Sequence, residues 1–221
     1  MLRARFVFPV VLLSCLAPLL AACGAPSYHY VKNSEDKTYF KVPATWHRID
    51  EQPLNLVVGS ADADSAAATR INETTWSVGF DAAGTPSAGH LVDSGSDEPF
   101  VYANVRPLSE EQRGVVSLNM LRDLFLPVTE TSRSTAEQGG NGLPGFELLR
   151  DETLTPGEGL RGVRVVYSYD FTLGLRQTFD QTAYTSDDGR LYWLVIRCSA
   201  RCFAERGDEL DAIATSFTVR N

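Results

Sequence analysis

Hydrophobic and polar residues alternate along much of the last third of the chain. The longest run has Val163, Val165 and Tyr167 at every second position, with Arg164 and Ser168 between hydrophobic neighbours. A period of two residues predicts a β-strand with one buried face. Alternating and apolar runs together predict strands at residues 38–42, 74–80, 100–106, 146–149, 163–171, 175–184 and 191–198.

The run at 191–198 differs from the others because it is apolar on both faces. Such a strand is typical of the centre of a sheet that is covered on both sides. The dipeptide Asp188-Gly189 precedes it and predicts a tight hairpin turn to the previous strand. The last third of the chain is therefore expected to form an antiparallel meander.

Two segments have the spacing of amphipathic helices. Ser109 and Gln112 form a capping box at the start of the first helix, whose apolar face continues until Pro127. The second helix is predicted at 203–215, after the meander. Residues 81–99 are polar and glycine-rich, which predicts a mobile loop. A meander with one helix before it and one after it predicts an α+β fold.

The first residues of the chain have the pattern of an export signal. Arg3 and Arg5 are followed by an uncharged apolar segment at 6–20, which Pro9 and Pro18 interrupt. Fifteen residues of helix rise only about 22 Å, which is less than the ~30 Å hydrocarbon core of a bilayer. The segment therefore predicts a cleaved signal peptide and not a permanent membrane span.

The end of this segment, Leu20-Ala21-Ala22-Cys23-Gly24, resembles the box of bacterial lipoproteins. In that family the cysteine receives a diacylglycerol and the peptide is cut before it. The resemblance implies a signal peptide at 1–22 and a lipid on Cys23, whose acyl chains would anchor the protein. The alternative is a simple secretion signal in which the cysteine is incidental.

Cysteine usage fits an exported protein. Once Cys15 leaves with the signal peptide and Cys23 carries lipid, only Cys198 and Cys202 remain. Two remaining thiols outside the cytoplasm are expected to form a disulfide. A zinc site would need more ligands at suitable spacing, and a redox pair normally has C-x-x-C spacing. Three histidines are present and none is at ligand spacing: His29, His47 and His90.

The mature chain is predicted to have a tether and one domain. Residues 23–37 are short, polar and turn-rich, which indicates a lipidated tether, although Tyr28 and Tyr30 could dock on the domain. Residues 38–221 are expected to form a single α+β domain, because their number suits one domain.

Charge excludes one class of partner. The chain has 20 basic and 28 acidic residues, a net charge of −8, which becomes −10 when Arg3 and Arg5 leave with the signal peptide. So acidic a chain is a poor candidate for nucleic-acid binding, which requires clustered Lys and Arg. The sequence also lacks a basic patch for anionic lipid headgroups.

Two short motifs and the order of elements resemble a known superfamily. The opening strand Phe40-Lys41-Val42-Pro43 is followed by Trp46, and the closing helix ends in Leu210-Asp211-Ala212-Ile213-Ala214-Thr215-Ser216-Phe217. With a helix before a long meander, this pattern resembles the PsbP/Mog1-like superfamily, and among its members the actinobacterial lipoproteins of the LpqN type. The resemblance implies an antiparallel β-sheet sandwiched by helices and an accessory or binding role. No site residue is carried over, because the partners of these proteins differ widely.

The sequence contains no strong catalytic motif. A nucleophile elbow of the G-x-S-x-G type is absent, and Ser94 and Ser96 lie in an acidic segment without a neighbouring base. A Ser/His/acid set using His47 or His90 would have to assemble from distant residues. The acids of the chain do not have the spacing of a calcium-binding loop, and no phosphate-binding glycine loop is present. We therefore expect no catalytic residues, no metal and no cofactor.

Two functional hypotheses remain. The first is a lipid-anchored, non-catalytic binding or accessory module on the extracytoplasmic face of the cell membrane, with an envelope protein or a glycolipid as partner. The second is an envelope hydrolase with a dispersed Ser/His/acid site. A pocket with converging catalytic groups would favour the hydrolase, and a groove with aromatic residues would favour the binding module.

Overall fold

The structure, a computed structural model, describes residues 27–50, 54, 73–93, 95–157, 159–171 and 174–220. The strands in this part of the chain are β1 (Tyr28–Asn33), β2 (Thr38–Pro43), β3 (His47–Ile49), β4 (Trp76–Asp81), β5 (Phe100–Pro107), β6 (Glu147–Gly157), β7 (Leu160–Asp170), β8 (Arg176–Ser186), β9 (Arg190–Ser199) and β10 (Thr218–Val219). Its α-helices are α1 (Glu110–Val115), α2 (Leu118–Arg122), α3 (Glu130–Gln138) and α4 (Ala200–Ser216).

Strands β3 to β9 form a large antiparallel sheet in the order β3-β4-β5-β9-β8-β7-β6. The predicted meander is confirmed as β7-β8-β9, and the turn before β9 contains Gly189 at a φ of 80°, which glycine adopts without strain. Strand β9 lies between β5 and β8 and is buried on both faces, as its apolar sequence predicts.

One face of the large sheet, which we call the α4 face, is covered by α4 and by a small sheet of order β1-β2-β10. Ser199 caps α4, because its side chain accepts a hydrogen bond from the backbone N–H of Cys202. Phe40 of β2 packs edge-on against Phe217 after α4, with ring centroids 6.1 Å apart. The expected antiparallel sheet between helical layers is therefore supplemented on this face by a second sheet.

The opposite face is covered by short helices, and the single helix predicted from Ser109 to Pro127 is wrong. The capping box of Ser109 is present, but α1 ends at Val115 and Ser117 then caps α2. The reason is local. Consecutive β-branched valines weaken the helix, and the Ser117 hydroxyl competes for a backbone N–H, that of Met120.

The small sheet begins earlier than the sequence predicted. Strand β1 lies inside the segment 23–37 that was expected to be a tether, and it pairs with β2 from Tyr28 opposite Pro43 to Asn33 opposite Thr38. Val31 is its one buried residue, so the strand has almost no hydrophobic pattern by which to be detected. The segment 81–99 also contains structure, a short 3₁₀ helix (Ala88–Leu91) that buries Leu91.

Candidate functional site

The β6 end of the large sheet forms one wall of a cleft. Helix α4 packs on β8, β9 and β2, and β6 lies beyond these contacts at the edge of the sheet, next to the buried β7. Strand β6 is exposed along nearly its whole length. The cleft between α4 and these strands has a volume of about 460 Å³, which is within the range of about 300–1,000 Å³ of small-molecule pockets.

A buried ion pair forms the floor of the cleft. Arg164 on β7 donates two hydrogen bonds to Asp180 on β8, at 2.9 Å from Nε to Oδ1 and 2.6 Å from Nη2 to Oδ2. The two residues are diagonal neighbours, because Arg164 pairs with Thr182 and Val166 pairs with Asp180. Their side chains are 7% and 1% exposed. This geometry is bidentate, which fixes the orientation of both groups.

Helix α4 joins the same network through Asp211. Its Oδ1 atom accepts a hydrogen bond of 2.8 Å from Arg164 Nη2 and one of 3.3 Å from Arg150 Nη1 on β6. Arg150 also lies 3.7 Å from Glu152. The network therefore links three strands to the helix, and it holds the two walls of the cleft at a fixed separation.

The arginine at the floor keeps its charge. Burial alone would lower the pKa of Arg164, but its hydrogen bonds to Asp180 and Asp211 outweigh burial and raise the pKa above the ordinary value. Burial also raises the pKa of Asp180, while the hydrogen bonds from Arg164 act against that rise. Arg164 is thus a permanent hydrogen-bond donor and not a group that exchanges protons.

The rim of the cleft is partly apolar. A register shift between Leu148 and Arg150 inserts an extra residue into β6, and Leu149 at this bulge is 50% exposed. Phe203 of α4 is half-buried and lines the same cleft. The cleft therefore offers fixed charges at its floor and apolar surface at its edge.

A second cavity on the opposite face is too small to be the main site. It has a volume of about 90 Å³ and is lined by apolar side chains together with Gln177 and Arg197. Arg197 is 1% exposed and donates a hydrogen bond of 3.4 Å to the carbonyl oxygen of Ser96. Burial lowers the pKa of Arg197. A volume this small lies well below that of typical ligand pockets.

The residues predicted for modification lie apart from the cleft floor. Cys23 is outside the described residues. Cys198 at the end of β9 and Cys202 in the first turn of α4 are free, buried thiols, so the disulfide predicted between them is not formed in the structure. Their side chains are hydrogen bonded, and this contact lowers the pKa of Cys202. The disulfide between Cys198 and Cys202 therefore stays a prediction for the exported protein.

The histidines and serines weighed for catalysis are also dispersed. His90 Nδ1 lies 2.7 Å from Oδ2 of the buried Asp81, which is the histidine–acid half of a catalytic triad. Ser94 lies outside the described residues, and the carbonyl oxygen of Ser96 accepts a hydrogen bond from Arg197. His29 instead contacts the carbonyl oxygen of Trp46 at 3.1 Å.

The described residues contain neither a metal-binding cluster nor a membrane-spanning helix. No group of three or more His, Cys, Asp or Glu side chains among them is arranged to hold a metal ion. No helix within the same residues is both long and apolar enough to span a bilayer.

Sequence reasoning missed the residues that define the cleft. Arg164 occupies a polar position in an alternating strand, which predicts a solvent-exposed side chain. Its partner Asp180 lies on the next strand, and Asp211 follows 47 residues after Arg164. The opposite charges of Arg164 and Asp180 could have indicated an ion pair. To pair them, however, one must know the register of β7 and β8, which makes the two residues neighbours.

No protein-family model matches the chain, and no curated protein matches it. Among solved structures it is similar to the PsbP protein of the cyanobacterium Synechocystis, with a TM-score of 0.51 and 16% identity over 92% of this chain and 100% of that one. LpqN of Mycobacterium tuberculosis, described as involved in cell envelope biogenesis, matches with a TM-score of 0.47 and 15% identity over 88% and 91% of the two chains. A Pseudomonas aeruginosa protein of unknown function matches with a TM-score of 0.42 and 11% identity over 89% and 99%. The likeness to the cyanobacterial protein confirms that this chain has a PsbP-like α+β fold.

Proposed function

We propose that the chain is a lipid-anchored, non-catalytic module on the extracytoplasmic face of a bacterial cell membrane, and that it binds the headgroup of an envelope glycolipid. The observation that carries the proposal is the cleft beside α4, which combines a fixed network of charged groups with an apolar rim. The export signal and the lipoprotein box before Cys23 support the location.

The charges of the cleft favour a neutral ligand that is rich in hydroxyl groups. The cleft is lined by both positive and negative side chains, namely Arg150, Arg164, Asp180, Asp208 and Asp211. A strongly anionic ligand would meet the carboxylates, and a strongly cationic ligand would meet the guanidinium groups. A hydroxyl group can donate to a carboxylate and accept from a guanidinium, so a saccharide satisfies both sets of partners.

The apolar rim favours a glycolipid over a free sugar. Leu149 and Phe203 line the cleft beside its charged floor, and Leu149 is 50% exposed. Contact with these side chains removes apolar surface from water, which contributes about 25 cal/mol per Å². The hydrocarbon nearest to a glycolipid headgroup supplies a matching apolar surface.

The same network favours binding over catalysis. Both carboxylate oxygens of Asp180 accept hydrogen bonds from Arg164, and Oδ1 of Asp211 accepts from two arginines. Carboxylates engaged in this way are fixed acceptors. General acid–base catalysis instead requires a carboxyl group whose pKa lies near the working pH and which is free to exchange its proton.

The binding test uses three soluble probes, each below its micelle concentration: a neutral octyl glucoside, an octyl glucuronide with a carboxylate in place of one hydroxymethyl group, and an octyl glucosamine with an amine in place of one hydroxyl group. We expect the purified chain to bind the neutral probe most tightly in calorimetry. The variant Arg150→Met should weaken this binding by about tenfold or more, because it removes a charged hydrogen-bond donor. Arg161→Met is the matched control, since Arg161 is an exposed arginine of β7 that does not line the cleft. Preference for a charged probe, or an unchanged affinity in Arg150→Met, would contradict the proposed ligand.

The lipid anchor is tested separately. In cells that are labelled with a radioactive fatty acid, Cys23→Ser should abolish incorporation and block processing of the signal peptide. Cys15→Ser is the control, because Cys15 lies in the same segment and is removed with it. Unchanged labelling of Cys23→Ser would show that the lipoprotein box is not used.

A further inference from the structure

The outer face of the small sheet combines tyrosines with basic side chains. Because residues alternate along a strand, β1 and β2 bury one set of side chains and expose the other. The exposed set, with the residue that follows β10, forms what we call the tyrosine–lysine face, and its members are Tyr28, Tyr30, Lys32, Tyr39, Lys41 and Arg220. Tyr30 is 76% exposed.

Cations and rings contact one another on this face. The Lys41 ammonium lies 4.7 Å from the centroid of the Tyr28 ring, and the Arg220 guanidinium lies 4.7 Å from the centroid of Tyr39. The rings of Tyr28 and Tyr30 are 6.3 Å apart. These contacts align amphipathic rings and positive charges in one surface, as occurs where proteins meet the headgroup region of a bilayer.

The distribution of lysine sets this face apart from the rest of an acidic chain. All three lysines of the protein lie in the β1–β2 hairpin, two of them on the tyrosine–lysine face and Lys37 in the turn. None of the residues of β1, β2 and β10 is acidic. Of the two acids in the turn, Asp36 is buried and paired with Arg190. The sequence alone does not reveal this grouping, because Arg220 lies beside the lysines only in the folded protein.

The tyrosine–lysine face lies close in sequence to the proposed lipid anchor, and this position indicates what the face contacts. Tyr28 follows Cys23 by five residues, which span at most about 18 Å when fully extended. The hairpin is thus the described element that begins nearest in sequence to the proposed anchor. We propose that the tyrosine–lysine face lies on the membrane, with its rings at the headgroup level and its cations on anionic phospholipids. This inference rests on the proposed lipid anchor, which holds the face within reach of the bilayer.

The experiment measures the depth of one introduced tryptophan at a time in the full chain, bound to vesicles of phosphatidylcholine and phosphatidylglycerol that contain brominated lipid. Tyr30→Trp places a probe on the proposed surface. Val115→Trp is the matched control, because Val115 on α1 is 63% exposed and lies on the opposite side of the large sheet. We expect strong quenching of the new fluorescence in Tyr30→Trp and none in Val115→Trp, above the background of the three native tryptophans.

Charge neutralisation then tests the lipid specificity. The substitutions Lys32→Gln and Lys41→Gln together should lower the ratio of docked to undocked protein about 30-fold, from the contribution of each lysine near an anionic surface. Vesicles of pure phosphatidylcholine should lower the ratio further, because Arg220 then loses its anionic partners as well. The chain should still sediment with the vesicles through its anchor.

The outcomes separate this inference from the anchor. If the chain sediments with membranes but Tyr30→Trp and Val115→Trp are quenched equally, the face does not dock and the anchor stands. If Cys23 carries no lipid yet the processed chain, added to anionic vesicles, shows quenching only in Tyr30→Trp, the face docks without an anchor. Protection of Tyr30→Trp by a second copy or by another protein would leave it unquenched, and this too would overturn the inference.

Discussion

The buried ion pair at the floor of the cleft gives the sharpest test of the structure. Arg164→Met keeps an unbranched apolar side chain and removes the guanidinium. It leaves Asp180, which is 0% exposed, without its counter-ion, and it removes one of the two arginine partners of Asp211. Breaking a buried pair by removing one partner costs about 3–5 kcal/mol, because the remaining charge stays desolvated. That is a large fraction of the ~5–15 kcal/mol by which a domain is stable.

The double substitution Arg164→Met with Asp180→Leu separates this cost from lost packing. Replacing both partners with apolar residues removes the uncompensated charge, and such replacements are often neutral or stabilising. We therefore expect the double variant to recover most of the lost stability. Arg150→Met is the control, because the Arg150 side chain is 40% exposed and an exposed ion pair contributes at most about 1 kcal/mol.

The measurement is equilibrium unfolding in urea, followed by circular dichroism. We expect the midpoint of Arg164→Met to fall sharply with an unchanged dependence on denaturant, since the surface exposed on unfolding is the same. A loss below about 1 kcal/mol in Arg164→Met would refute the reasoning, since the pair would then not be desolvated. Equal destabilisation of the single and double variants would show that packing, and not charge, is what the arginine supplies.

Three further changes probe other parts of the fold. Gly162→Ala should lower the free energy of unfolding in urea by about 2 kcal/mol or more, because its Cβ would lie 2.3 Å from the carbonyl oxygen of residue 183. Gly207→Ala in α4 is the comparison: its Cβ meets no atom within 4 Å, and the free energy of unfolding should rise by up to about 1 kcal/mol. We expect Cys198 and Cys202 to join as a disulfide in the exported protein, so thiol titration of the unfolded, unreduced chain should find none; two reactive thiols would contradict this. Burial raises the pKa of Tyr169 from 10.0 to about 12. As pH rises, the Tyr169 hydroxyl therefore ionises in the unfolded state before it ionises in the folded state. The free energy of unfolding should fall between pH 10 and pH 12, and it should fall less steeply in the variant Tyr169→Phe.

The meander could be predicted from sequence because its information is local. Alternation along β7 and the Asp188-Gly189 turn before β9 each act within a few residues, and both are present in the structure. The helix from Ser109 failed for a reason that is equally local. Ser117 offers a second N-cap, and a hydrophobic stripe does not reveal where a helix stops and restarts.

The cleft could not be predicted, because its chemistry depends on contacts between distant residues. The alternation that correctly located β7 also assigned Arg164 to the solvent. That position is buried because Asp211 and α4 come to lie against it. Similarly, the segment before residue 38 resembles a tether because Val31 is the one buried residue of β1. A single buried residue produces no hydrophobic periodicity. The strand is therefore recognised only from its pairing with β2 in the structure.

The fold relates the position of the tyrosine–lysine face to that of the cleft. The small sheet packs on the α4 face of the large sheet, through Val31 and Phe40. Arg164 and Asp180 project from the same α4 face, since they share the side of β7 and β8 that carries Tyr184, a member of that core. The tyrosine–lysine face and the cleft therefore lie on one side of the large sheet, with α4 between them. If that side rests on the bilayer, the cleft opens towards the lipid headgroups. A ligand whose polar group occupies the cleft could then keep its hydrocarbon in the membrane, and the apolar rim at Leu149 would lie between the two.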